Sequence, residues 1–220
     1  MNYEYKFFSK LFYYPLALIP VFLISGPFLS DLVITLSGLA FLIISLKNKD
    51  YRFFSSFFFK YFIFFYLFIS SLYFLYDETK IYFLLKPFSM IRFILFVGAL
   101  SYLISYKKSF IDLFLKVLIL SLSLLFLDSL FQFFYGKNIL SYEISGTGRV
   151  SSFFKDELIM GSYTMRFFPV LITIIFYKNF LRKNLLLSVL FFICTTLILL
   201  SGERTSLILF LIFVVSFILL

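Results

Sequence analysis

Two short polar segments hold most of the groups in this chain that could do chemistry. The first runs from Gly148 to Tyr163 and brings Arg149, Ser151, Ser152, Lys155, Asp156 and Glu157 into one stretch, with Arg166 just inside the apolar run that follows. The second is Ser201-Gly202-Glu203-Arg204-Thr205-Ser206, set between two apolar runs. Arginine presents a planar fork of donors that matches phosphate oxygens, and a glycine turn that opens a helix aims free N–H groups outward. Binding of an anion is the chemistry this set suits. Each group also has a plain structural role open to it. Arg166 can snorkel to the membrane surface, Asp156 and Glu157 can cap the first turn of a helix, and Glu203 with Arg204 can form a surface pair worth little. Histidine is absent and Cys194, inside an apolar run, is the single cysteine. Imidazole catalysis, a disulfide framework and a cysteine-rich metal site are thereby excluded, and no cofactor or metal is expected.

The elements that must position these groups are membrane helices. The chain has 220 residues, of which 62% are hydrophobic and 14% charged, and its mean hydropathy is +1.04. A span needs about 20 apolar residues, so the length accommodates about eight and leaves no room for a second folded domain. Apolar runs predict spans at Leu11 to Phe28, Leu32 to Leu46, Phe57 to Tyr76, Ser89 to Tyr106, Phe110 to Tyr135, Ser162 to Tyr177, Leu185 to Leu200 and Thr205 to Leu220. The first run follows Lys6 and Lys10 but has no small-residue cleavage site after it, so it reads as a retained span. The 37 phenylalanines and 16 tyrosines are read as lipid-facing and packing side chains.

Basic residues alternate along the breaks. Lys47, Lys49 and Arg52, then Lys107 and Lys108, then Lys178, Arg182 and Lys183 mark cytoplasmic loops, which puts the N-terminus in the cytoplasm. The formal charge of +9 follows from this topology, and no nucleic-acid partner is expected. The expected fold is an all-α polytopic helix bundle, one transmembrane domain over residues 1–220, with one longer outward-facing loop at 136–161. That loop is expected to include a short helix or re-entrant segment starting near Asp156 and broken at Gly161-Ser162. Arg149, Lys155, Arg166 and Arg204 then put positive charge on the side that should be poor in it, which a lipid-linked diphosphate at the membrane surface would account for. A transporter or flippase of lipid-linked or small solutes is the main alternative, with Gly98, Asp128 and Gln132 as its candidate residues. A non-catalytic membrane partner protein is the third.

The residues Arg149, Ser151-Ser152-Phe153-Phe154, Asp156-Glu157-Leu158-Ile159 and Gly161-Ser162-Tyr163 resemble the outward segment of the O-antigen ligase and O-antigen polymerase family. Ser201-Gly202-Glu203-Arg204-Thr205 resembles that family's Ser-Gly-x-Arg hairpin, and Ser25 to Asp31 is similar to the turn of its opening helix pair. The resemblance implies a multi-pass glycosyltransferase of the bacterial inner membrane, acting without metal on undecaprenyl-diphosphate-linked oligosaccharide at the periplasmic face. It makes membrane lipid and other polysaccharide-assembly membrane proteins the implied partners. Arg149 and Arg204, with Arg166 and Lys155 as lesser candidates, would hold the diphosphate, and Asp156, Glu157, Glu203 and Ser201 would support them. Family members continue into a further periplasmic loop with a catalytic histidine and more spans. This chain, reaching Leu220 within an apolar run and lacking histidine, is expected to be the N-terminal part of a longer protein.

Overall fold

The computed structural model describes residues 3–74, 81–155, 157–178 and 183–219. Asp156, Arg182 and the break at Asp77 to Lys80 lie outside the described residues. The helices are α1 (Tyr3–Ala17), α2 (Ile19–Ser25), α3 (Pro27–Lys47), α4 (Arg52–Ser55), α5 (Phe57–Phe74), α6 (Ile81–Tyr106), α7 (Ser109–Tyr135), α8 (Met160–Lys178), α9 (Lys183–Ser201) and α10 (Arg204–Leu219). A single 3-10 turn, Ser152–Phe154, lies in the long loop.

Five described helical stretches are long and apolar enough to cross a membrane: α3, Ser89–Tyr106 of α6, α7, α8 and α9. The pair α1 and α2, bent by 48°, makes a sixth if read as one span, and α5 and α10 supply shorter apolar helices. The protein is thus an all-α, multi-pass membrane bundle whose apolar helices fall on the eight predicted runs, five or six of them long enough to span. Several boundaries differ from expectation: α1 and α6 each start eight residues before the predicted Leu11 and Ser89. Pro20 has no N–H for the preceding turn, so the first span breaks near Leu18. The expected break at Ser25 to Asp31 narrows to Gly26, because Pro27 suits the first position of a helix and α3 starts there. Asp31 therefore lies inside α3.

The helices group into two compact units, one of residues 1–19 and 27–110, the other of residues 20–26 and 111–220. In the first, α3 and α6 run parallel: Asp31 meets Arg92, Gly38 meets Leu95 and Phe96, and Phe41 meets Gly98. Gly98 is a packing glycine, since a Cβ there would enter the rings of Phe41 and Phe53. That close approach explains it without a transport role. Phe8, Phe41, Phe53 and Tyr102 continue the aromatic contact along this unit.

In the second unit α7 and α8 are antiparallel. Lys178 pairs with Asp112 at 2.7 Å, the Tyr163 hydroxyl meets Ser121, and the Ser129 hydroxyl donates to the Met160 sulfur at 3.1 Å. Leu118, Leu122, Leu125, Leu171, Ile175, Cys194 and Leu197 fill the core between α7, α8 and α9. The hairpins α8–α9 and α9–α10 then bring Tyr135, Met160, Ser201 and Arg204 to one end of the unit, and Asp112, Lys178 and Lys183 to the other.

Candidate functional site

The C-terminus of α9 organises the site. A helix ends with backbone carbonyls that have no partner within it, and here the α9–α10 turn supplies one donor and the long loop two. Leu199 O accepts from Gly202 N–H at 3.2 Å and Leu200 O from Val150 N–H at 3.1 Å. Ser201 O accepts from Arg149 Nε at 2.7 Å. A guanidinium there also meets the negative end of the helix dipole. Gly202 follows with φ +62°, and a Cβ on it would come within 3.0 Å of the Arg149 side chain. Arg149 thus lies over the turn, and its two terminal nitrogens have no hydrogen-bond partner among the described residues. Arg204, exposed at the first position of α10, is two residues beyond Gly202, within about 7 Å of it along the backbone. The two arginines that sequence reasoning paired are brought together at one turn.

Glu203 holds the rest of that turn. Its Oε1 accepts from Gly161 N–H at 3.2 Å, and its Oε2 from the hydroxyls of Ser162 at 2.5 Å and Ser206 at 2.6 Å. One carboxylate therefore serves the first turns of α8 and α10, where the helix dipoles favour a negative charge. The expected Glu203–Arg204 surface pair is not formed, because the carboxylate is engaged elsewhere. Gly161 allows this approach: a Cβ there would collide with Ser201 Oγ and lie 3.2 Å from Glu203 Cβ.

The same contacts correct the expected segment near Asp156. The 3-10 turn ends at Phe154, residues 157–159 are irregular, and α8 starts at Met160 and continues through Gly161 and Ser162. Glu203, from the neighbouring turn, caps the first turn of α8. Glu157 is exposed and its N–H donates to Phe154 O at 3.0 Å. Lys155 is exposed, 5.9 Å above the Tyr142 ring, and Arg166 is exposed on α8. No hydrogen bond or ion pair joins Lys155, Glu157 or Arg166 to the Ser201–Gly202 turn among the described residues.

Comparison of the chain with protein-family models, curated proteins and solved structures gives no match.

The structure adds a buried polar network that supports Arg149 from below. Asp128 and Gln132, both fully buried, lie one turn apart on α7 and face the loop. Asp128 Oδ1 accepts from Ile139 N–H at 3.0 Å and Oδ2 from Ser152 Oγ at 2.5 Å. Gln132 Oε1 accepts from the N–H groups of Ser151 at 3.2 Å and Ser152 at 2.7 Å, while its Nε2 donates to Tyr142 O at 3.2 Å. Asn138 closes the network, donating from Nδ2 to Ser152 O at 2.9 Å and accepting from Tyr142 N–H at 2.8 Å. Ser152 adopts φ +51°, a strained region for a residue with a side chain. Its N–H, hydroxyl and carbonyl are each held, which over-determines that conformation. The spacing of Asp128 and Gln132 on an otherwise apolar helix is the sequence signal for this network. Asn138 and Ser152 carry none, being ordinary loop residues until the fold pairs them.

Proposed function

We propose that the turn formed by Arg149, Ser201, Gly202 and Arg204 binds the diphosphate of a lipid-linked substrate at the membrane surface, in a glycosyltransferase of the O-antigen polymerase or ligase type. The observation that carries this reading is Arg149 itself. Its Nε is fixed on the end of α9, which orients the guanidinium and leaves its terminal nitrogens without a partner among the described residues, next to exposed Arg204. In the reaction so proposed, two guanidinium groups would stabilise charge developing on the departing diphosphate, an electrostatic effect that grows towards the transition state. Membrane lipid would hold the polyprenyl tail alongside the bundle. The alternation of basic loops supports an outward-facing position for this end, which in this reading is the periplasmic side of a bacterial inner membrane. The transporter reading is weaker, because Asp128, Gln132 and Gly98 all have structural partners.

Binding to undecaprenyl diphosphate tests the proposal, with the purified chain in nanodiscs. Saturable binding that inorganic pyrophosphate competes away, and that the Arg149→Ala/Arg204→Ala pair abolishes while the thermal melt persists, is the expected result. Equal binding by the double variant would refute it.

A further inference from the structure

The loop after α7 does not rise away from the helix. It turns back along it. Asp128 precedes Tyr135, the last residue of α7, by seven positions, so it lies about 10 Å back along the axis. Yet Asp128 Oδ1 accepts from the N–H of Ile139, four residues beyond the helix end. The segment 138–142 therefore descends beside the last two turns of α7, and Ser151 and Ser152 reach a similar level on Gln132 and Asp128.

Helix length puts that level below the end of the apolar span of α7. Lys116 is the last exposed charge on α7 before its C-terminal end, and an apolar core about 30 Å thick spans about 20 helical residues beyond it. Over that length Leu120, Leu124, Leu127, Phe131 and Phe134 form one exposed apolar stripe at helical spacing, the face turned to acyl chains. Ile139 and Leu140 are exposed by 65% and 56% at about the depth of Leu127. Irregular backbone is tolerated at such depth only where its polar groups are satisfied by protein. This is the service that Asp128, Gln132 and Asn138 perform, and it accounts for a fully buried carboxylate and amide in a membrane helix.

We infer that residues 138–142 form a re-entrant tip inserted into the leaflet on the Arg149 side, with Ile139 and Leu140 in contact with lipid acyl chains. The hydrogen bond from Ile139 N–H to Asp128 puts these two exposed aliphatic side chains at the axial level of exposed Leu127 and Phe131 on α7, which favours lipid as their occupant over a protein partner. The tip holds the loop at a fixed depth, and Arg149 with it. This rests on the loop geometry alone and does not depend on the diphosphate reading.

The chain has no tryptophan, so single substitutions report without background. Leu140→Trp and Ile139→Trp are compared with Leu127→Trp on the α7 stripe and Thr147→Trp at the exposed turn. All are reconstituted in phosphatidylcholine–phosphatidylglycerol vesicles with and without phosphatidylcholine brominated near the upper acyl chain. The expected result is blue-shifted emission from Leu140→Trp and Ile139→Trp, with bromine quenching at least half that of Leu127→Trp. Both variants leave the buried side chains of the network untouched, and retained protection of Cys194 from thiol reagent certifies the fold. Emission and quenching matching Thr147→Trp would overturn the inference. Blue-shifted emission without bromine quenching would overturn it too, since protein would then cover the patch.

Discussion

The two units meet the demands of lipid by different means. In the unit containing α3 and α6, cohesion comes from glycine-mediated helix approach, aromatic rings and one partly exposed ion pair, Arg92 with Asp31 at 3.0 Å. The unit containing α7 to α10 instead places a carboxylate and two amides in its interior and serves them fully with loop backbone and hydroxyls. Polar groups away from water are costly unless paired. Their concentration in one unit, beneath one loop, indicates that the loop's position has to be fixed. The other unit joins its helices without a buried carboxylate network, so the network's particular product is the placement of Arg149.

Substitutions can break that contrast, and Asp128→Ala should have the largest effect. It strands the Ile139 N–H and the Ser152 hydroxyl, at about 1–3 kcal/mol for each buried unsatisfied group. Because Cys194 is the only cysteine and is buried in this unit, its reaction with a thiol-reactive dye on heating reports the melt directly. Asp128→Ala should melt far earlier and become cleavable by protease in the loop. Asp128→Asn, keeping an acceptor oxygen, should lie between it and the parent. A next, smaller effect belongs to the α8 approach. Gly161→Ala should cost about 1–3 kcal/mol by overpacking against Ser201 and Glu203, and Ser201→Gly in the same chain should restore most of it, as expected for residues in contact. The smallest belongs to the other unit. Asp31→Asn should change helical melting by at most about 1 kcal/mol, since its pair with Arg92 is partly exposed.

The sequence made the helices legible because span length and apolar run coincide, and Lys6 to Arg204 punctuated them with charge. Arg149 and Arg204 were legible as a pair, since both are arginines at breaks on the same side. The capping by Glu203 was not, because a carboxylate beside an arginine looks like a local pair until a second helix N-terminus arrives from 42 residues away. Nor was the re-entrant tip. Its acceptors lie on α7, its donors lie in the loop, and only folding shows that Ile139 turns back to Asp128. The helix expected from near Asp156 starts instead at Met160, where Glu203 from a distant turn meets the Gly161 N–H.

In the proposed function, the loop and the α9–α10 turn together present a two-arginine seat for a diphosphate. The most direct measurement is the Kd for undecaprenyl diphosphate in nanodiscs across the parent, Arg204→Lys and Arg204→Ala. If Arg204 acts as a paired donor, lysine keeps the charge but loses the fork, and each lost charge-assisted hydrogen bond is worth roughly 1.5–3 kcal/mol. Arg204→Lys should then weaken binding by about tenfold or more, nearly as much as Arg204→Ala, with the Cys194 melt unchanged in both. Parent-like affinity in both variants would contradict the account and leave the turn as a connection between two helices.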